Sequence, residues 1–235
     1  MKSAAIVLSG GSGRRMGADV KKQYMLLADR PLIFYALKAF EESFTDSVVL
    51  VCSPGDEEYC RKEIAERYGF KKITAIVPGG KERYHSVMAG MEAVPADAQH
   101  IFIHDGARPF ITEEMLERLY EDVKLSGACA AAVPVKDTIK TADDEGFVTG
   151  TPKRSTLWQI QTPQVFSAAL IRGAYEQLKL REAELLAAGV EITDDAMIAE
   201  LLTDQRVHLV RGSYDNIKLT TPEDISFACW RLAQA

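Results

Sequence analysis

The chain reads as an α/β fold, an open and mostly parallel sheet with helices on both faces. Three observations predict it. Short, almost wholly apolar runs at residues 4–8, Ser47–Cys52 and 128–133 have the length of strands buried on both faces. Longer segments with apolar residues at helical spacing lie between them in steady alternation, the pattern of repeated βα units. At 235 residues the chain suits one such domain, spanning 1–235, with a large core.

Taken in order, residues 4–8 form the first strand and a glycine-rich turn follows at once. Pro31 occupies a position where a first-turn proline is tolerated, and Leu32, Ile33, Ala36, Leu37 and Phe40 supply the apolar face of a helix. A second strand is expected at Ser47–Cys52, a polar helix at 56–68 and a third strand at 73–77. Gly79 and Gly80 open a helix running to about residue 93. Residues 100–104 read as a strand ending in Asp105, and Thr112 as the N-cap of a helix with Glu113 and Glu114 in its first turn. After the strand at 128–133 the pattern breaks. Residues 136–154 are polar around a D-D-E-G turn, too polar for core, and read as a protruding β-arm whose cheapest partner is a twofold copy of the same chain. Helices are expected at 167–188 and 194–202, strands at 207–210 and 216–219, and a terminal helix from Pro222.

Composition narrows the function. Hydrophobic residues make up 47% and charged residues 26%, ordinary globular usage without repeats or low complexity. A net charge of −6 disfavours a nucleic-acid binder, so any anion site must be a local focus of positive charge. Cys52, Cys60, Cys129 and Cys229 form no C-x-x-C pair and read as reduced core thiols. No apolar run near the start is long enough for a signal peptide or a membrane span, which points to the cytoplasm.

The stretch from Ser9 to Tyr24, SGGSGRRMGADVKKQY, carries the chemistry. Gly10, Gly11 and Gly13 leave main-chain N–H groups bare, and Arg14, Arg15, Lys21 and Lys22 follow, a combination that suits a triphosphate. A Walker A loop is excluded because Gly80-Lys81 is followed by Glu82, and the dinucleotide fingerprint because its third glycine position is Met16. In open α/β sheets ligands bind beyond the carboxyl ends of strands. That rule adds residues 78–80, 105–108, 134–138 and 218–221, each polar, basic or glycine-bearing.

The ordered set G-G-S-G-R-R-M-G, K-Q-Y, G-G-K-E-R-Y-H-S-V, H-D-G-A-R-P-F, A-V-P-V-K-D-T, K-R-S-T-L-W-Q-I-Q-T-P-Q, T-D-D and D-N-I-K-L-T-T-P-E-D resembles the 2-C-methyl-D-erythritol 4-phosphate cytidylyltransferases nearly end to end. The resemblance implies a Rossmann-like nucleotidyltransferase domain, a Mg2+-dependent homodimer with shared active sites, and transfer of CMP from CTP to methylerythritol phosphate in the non-mevalonate isoprenoid pathway. It assigns Arg15 and Lys22 to charge on the α-phosphate, and Ser9, Gly10, Gly11, Gly13, Gly80, Arg83, Ser86 and Gly106 to CTP. Arg154, Lys218, Thr138, Thr162, Thr193, Arg108 and Asp105 fall to the sugar-alcohol phosphate, with Asp105 also a candidate metal ligand beside the CTP phosphates. Neither nucleic acid nor membrane is implied as a partner.

Two departures touch the acceptor. Ser9-Gly10-Gly11 stands where members commonly have Ala-Ala-Gly, and Gly106 where they have alanine. A double-glycine start also occurs in ribitol 5-phosphate cytidylyltransferases, so ribitol phosphate stays open as the alternative acceptor. A further alternative is an inactive nucleotide-binding or scaffold protein on the same fold.

Overall fold

The computed structural model describes residues 2–10 and 21–234. Strand β1 (Ser3–Ser9) is followed, beyond residues 11–20, by a short hairpin of β2 (Leu26–Leu27) and β3 (Arg30–Pro31), then α1 (Leu32–Glu42) and β4 (Ser47–Cys52). A helical turn α2 (Glu57–Tyr59) continues as a π-helical stretch over Cys60–Glu66, followed by β5 (Ile73–Pro78), α3 (Arg83–Ala93), β6 (His100–Asp105), α4 (Glu113–Ser126) and β7 (Ala128–Pro134). The second half holds β8 (Thr141–Ala142), β9 (Val148–Gly150), β10 (Trp158–Ser167), α5 (Ala168–Ala187), α6 (Asp195–Leu202), β11 (His208–Arg211) and α7 (Pro222–Leu232).

Seven strands form one sheet in the order β11-β7-β10-β6-β1-β4-β5. Neighbours are parallel except at β10, which runs antiparallel to both β6 and β7. Alternation along β1 shows how both faces are used. Ala4 and Ile6 pack with α3 and α5 residues such as Val87, Met91, Ile171 and Leu178, whereas Ala5 and Val7 pack with α1 and α4 residues such as Ile33, Phe40, Leu116 and Leu119. Successive side chains of a strand face opposite ways, so a fully apolar run is what a sheet covered on both sides requires.

One strand lies where the sequence reading assigned none, and one expected strand is absent. Residues 158–167 are not among the expected strands, because the Trp158–Gln161 alternation is short and Pro163, which lacks a ladder donor, interrupts it. They nevertheless form β10, and its pairing with β7 shifts register between Ile160 and Gln164, at the proline. Residues 216–219, expected as a strand, belong to none. The segment is held by Leu219 N donating to Ala107 O at 2.9 Å and by the Leu219 side chain, fully buried with Leu27, Leu32 and Ala228. Burial of one leucine contributes about 2 kcal/mol, enough to seat a short segment without a ladder.

Within residues 136–154, β8 and β9 pair as a separate, mostly exposed two-stranded hairpin, with Asp143 N bonded to Phe147 O at 3.0 Å across its turn. No helix among the described residues is long and apolar enough to cross a membrane. All four cysteines are free thiols, and Cys52, Cys60 and Cys129 are buried.

Candidate active site

A cleft of about 460 Å³ opens at the carboxyl ends of the central strands. Its floor is the end of β1, Leu8 to Gly10, together with Asp105 at the end of β6. One wall is the turn from β5 into α3, with Gly80, Lys81, Glu82, Arg83 and Ser86; the other is Lys22, Gln23 and Lys218.

The α3 wall is built to present its N-terminus. Glu82 caps the helix in a reciprocal box with His85, Ser86 Oγ donates to Glu82 O at 3.2 Å and accepts from Gly80 N at 3.1 Å. Glycine is required at 80 by crowding, since a Cβ there would collide with the His85 side chain. The first-turn N–H groups and the helix dipole favour an anion or a base edge at this corner.

Lys22 is placed by its neighbours. It begins a short 3-10 turn, Lys22–Tyr24, whose flanks are tied to one carboxylate: Lys21 Nζ lies 2.7 Å from both oxygens of Asp56, and Tyr24 OH donates to Oδ2 at 3.0 Å. Lys21 is therefore committed to Asp56, although the sequence groups it with the phosphate-binding cations. Lys22 Nζ donates to Leu219 O at 2.6 Å, which brings the first motif of the chain against the last.

Asp105 is the electrostatic hub. Its carboxylate is 8% exposed, with Arg83 Nε 3.1 Å from Oδ1 and Lys218 Nζ 2.7 Å from Oδ2. Burial alone would push its pKa up, but Arg83 and Lys218 hold it well below the usual carboxylate range. It is ionised at neutral pH with both oxygens engaged. Arg83 also reaches Asp195, with Nη1 2.8 Å from Oδ2. Ser9 Oγ is buried without a hydrogen-bond partner among the described residues. Among those residues no group of His, Cys, Asp and Glu side chains is disposed to hold a metal ion.

A family model described as 2-C-methyl-D-erythritol 4-phosphate cytidylyltransferase matches residues 3–234. The chain belongs to this cytidylyltransferase family. A relative of that name from Lachnospira eligens is 48% identical over 227 residues, covering 96% of this chain and 97% of the relative. One from Alkaliphilus oremlandii is 46% identical over 228 residues, covering 97% and 93%. The crystal structure of 4-diphosphocytidyl-2C-methyl-D-erythritol synthase from Anaerococcus prevotii superimposes with a TM-score of 0.83 at 33% identity, covering 99% of this chain and 96% of that one. That of 2-C-methyl-D-erythritol 4-phosphate cytidylyltransferase from Thermus thermophilus gives 0.78 at 28% identity, covering 100% of both.

Against that cytidylyltransferase family, the sequence-predicted site residues divide by position. Ser9, Gly10, Lys22, Gly80, Arg83, Ser86, Asp105 and Lys218 line the one cleft. Gly11, Gly13 and Arg15 lie outside the described residues. Gly106 has a packing reason to be glycine, since a Cβ would meet the Ile33 side chain and stand 2.9 Å from Leu8 O. Arg108 turns away, donating from Nη1 to Asn216 O at 2.7 Å, and Thr162 is buried behind Asp105. Thr138 and Arg154 are exposed on the arm, where Arg154 Nη1 donates to Lys136 O at 3.1 Å. Thr193 is exposed before α6, its hydroxyl 3.5 Å from Met197 Sδ. Sequence reasoning missed Gln23, Lys81 and Glu82 in the lining and Asp195 behind Arg83. Lys81 and Glu82 sit inside the G-G-K-E-R motif, so placing the whole strand end in the cleft would have found them.

Proposed function

We propose that the protein transfers CMP from CTP to 2-C-methyl-D-erythritol 4-phosphate, giving 4-diphosphocytidyl-2-C-methyl-D-erythritol and pyrophosphate. The observation that carries this reading is the convergence of Lys22, Lys218 and the α3 N-terminus on one cleft, in a chain of this family. The names of the relatives support the erythritol acceptor over ribitol phosphate.

In the reaction an oxygen of the acceptor phosphate attacks the α-phosphorus of CTP, a new P–O bond forms, and the bond to the β-phosphate oxygen breaks to release pyrophosphate. The acceptor is already anionic at neutral pH, so no general base is required and positioning supplies most of the rate. Arg15 and Lys22 stabilise charge on the α-phosphate. The glycines at 10, 11 and 13 with Ser9 cradle the phosphates, while Gly80, Arg83 and Ser86 hold the cytosine edge. Lys218, Thr193 and Asp105 orient the acceptor, Thr162 and Arg108 act from behind by holding the backbone at Asp105 and Asn216, and Thr138 and Arg154 reach it from the arm. When Mg2+ is bound it would be held mainly by phosphate oxygens and water and would neutralise triphosphate charge, since both Asp105 oxygens already face cations.

The arm serves a homodimer. Phe147 and Val148 at its tip are 68% and 61% exposed, apolar area that a second copy would cover. A cytoplasmic location suits four unpaired thiols. Labelled CTP incubated with Mg2+ and either methylerythritol phosphate or ribitol 5-phosphate tests the proposal. Labelled product with the first acceptor alone is expected, and product with ribitol phosphate alone, or with neither, would overturn it.

A further inference from the structure

The T-D-D and T-P-Q stretches meet at the start of α6. Asp194 caps that helix, accepting from Met197 N at 2.8 Å, and also accepts from Gln164 Nε2 at 2.9 Å. Gln164 Oε1 in turn accepts from Ala196 N at 2.8 Å. These contacts pin the first turn of α6 to β10 and leave the side chain of the residue between them, Asp195, facing the interior, where it is 0% exposed. Tyr175 on α5 donates its hydroxyl to Asp195 Oδ1 at 2.5 Å, and Arg83 Nη1 on α3 stands 2.8 Å from Oδ2. A single line of contacts thus runs from Tyr175 through Asp195, Arg83 and Asp105 to Lys218.

Fold stability is a poor reason for such a line. Burial raises the pKa of Asp195 against the pull of Arg83, and a buried ion pair is often matched or bettered by apolar residues of the same volume. Orientation is a better reason. An arginine side chain has many rotamers, and a guanidinium hydrogen-bonded from Nε to Asp105 while its Nη1 is ion-paired with a buried Asp195 is confined to few of them.

We propose that Asp195 is a positioning residue of the cleft, aimed by Tyr175: it fixes the Arg83 guanidinium so that Nε meets Asp105, and through Asp105 it sets the position of Lys218. This rests on the reading of the cleft as a CTP site. Loss of the Asp195 charge frees Arg83 to turn and lets Asp105 and Lys218 shift with it.

Asp195→Asn keeps the side-chain shape and deletes the charge; Tyr175→Phe keeps the ring in the core and deletes only the O–H. Each variant is measured for thermal unfolding, for CTP binding by calorimetry, and for kcat and KM with both substrates. Asp195→Asn is expected to weaken CTP binding about tenfold and Tyr175→Phe about threefold, and Arg83→Lys should add little once Asp195→Asn is present, since contacting residues couple by this much. A merely structural role would lower Tm while leaving Kd and KM of the folded protein at wild-type values. Folded variants with wild-type CTP affinity, or full additivity with Arg83→Lys, overturn the proposal; if Asp195→Asn does not fold, Tyr175→Phe decides alone by the same Kd criterion. Wild-type protein that binds CTP but transfers nothing to the acceptor would instead overturn the proposed reaction, leaving the calorimetric comparison valid; wild-type protein that does not bind CTP overturns both.

Discussion

Thr162 Oγ1 lies 3.0 Å from His104 Nδ1, and its direction of donation follows from a third group. Arg108 O can only accept, so His104 Nε2, 3.1 Å away, carries the ring proton. The buried imidazole is neutral, which leaves Nδ1 bare to accept from the Thr162 hydroxyl, while that hydroxyl accepts from the Asp105 backbone N–H at 3.0 Å. A buried pair outside the cleft thus holds the backbone on both sides of Asp105.

The pH dependence of stability follows. Burial depresses the pKa of His104 from its usual 6.5 to about 4. In the unfolded chain the imidazole takes up a proton near 6.5, and the folded chain resists until about 4, so the stability it contributes is complete above 6.5 and is lost as pH falls between those values. Between pH 7 and 5 the loss is about 2 kcal/mol. Urea unfolding at the two pH values should show this loss in the wild type and a smaller one in His104→Gln; equal losses would refute the assignment.

Gly106→Ala should act on the fold before it acts on nucleotide binding. The added Cβ would collide with the Ile33 side chain and stand 2.9 Å from Leu8 O, where backbone cannot yield cheaply. Overpacking of this kind costs about 1–3 kcal/mol. Thermal unfolding is expected to show that loss while calorimetry gives unchanged CTP affinity. A stable variant with weakened CTP binding would place Gly106 against the nucleotide instead.

Much of this was legible because the apolar strands say which way the sheet runs. Residues 4–8 and Ser47–Cys52 admit few other readings, and their carboxyl ends locate the cleft. The failures have physical causes. Leu219 looks like a strand residue because it is apolar with apolar neighbours, but it is buried by packing on Leu27 and Leu32 rather than by a ladder. In β10, Gln161 and Gln164 look like surface residues; both are buried and spend their amides on Ser213 O and Asp194, contacts that no local pattern reveals. Asp195 is the same case, a charge whose meaning depends on a guanidinium from another helix.

Lys22→Ala and Arg15→Ala should depress turnover far more than CTP affinity. Lys22 Nζ is held at Leu219 O, next in the chain to Lys218, and both lysines line the cleft, so under the proposed assignment removing it deletes a cation at the α-phosphate. Loss of a contact made mainly in the transition state lowers kcat by about 10²-fold or more. Steady-state kinetics that show only a raised KM for CTP, with kcat intact, would assign both residues to ground-state binding.

Each active site is expected to draw on two chains. Thr138 and Arg154 are exposed on the arm, and neither lines the cleft of its own chain, whereas Lys22 and Lys218 do. In an isologous pair the arm of one chain reaches the cleft of the other, and two identical composite sites result. An inactive Lys22→Ala chain is mixed with an inactive Arg154→Ala chain and allowed to exchange. One site of the heterodimer then carries both lesions and the other carries neither, so activity should return to about a quarter of wild type for equal, random pairing. Recovery that tracks heterodimer formation, followed by tagged subunits, supports the shared site. If heterodimers form and activity stays absent, Arg154 serves its own chain, and the exposed apolar tip at Phe147 and Val148 is only a means of association.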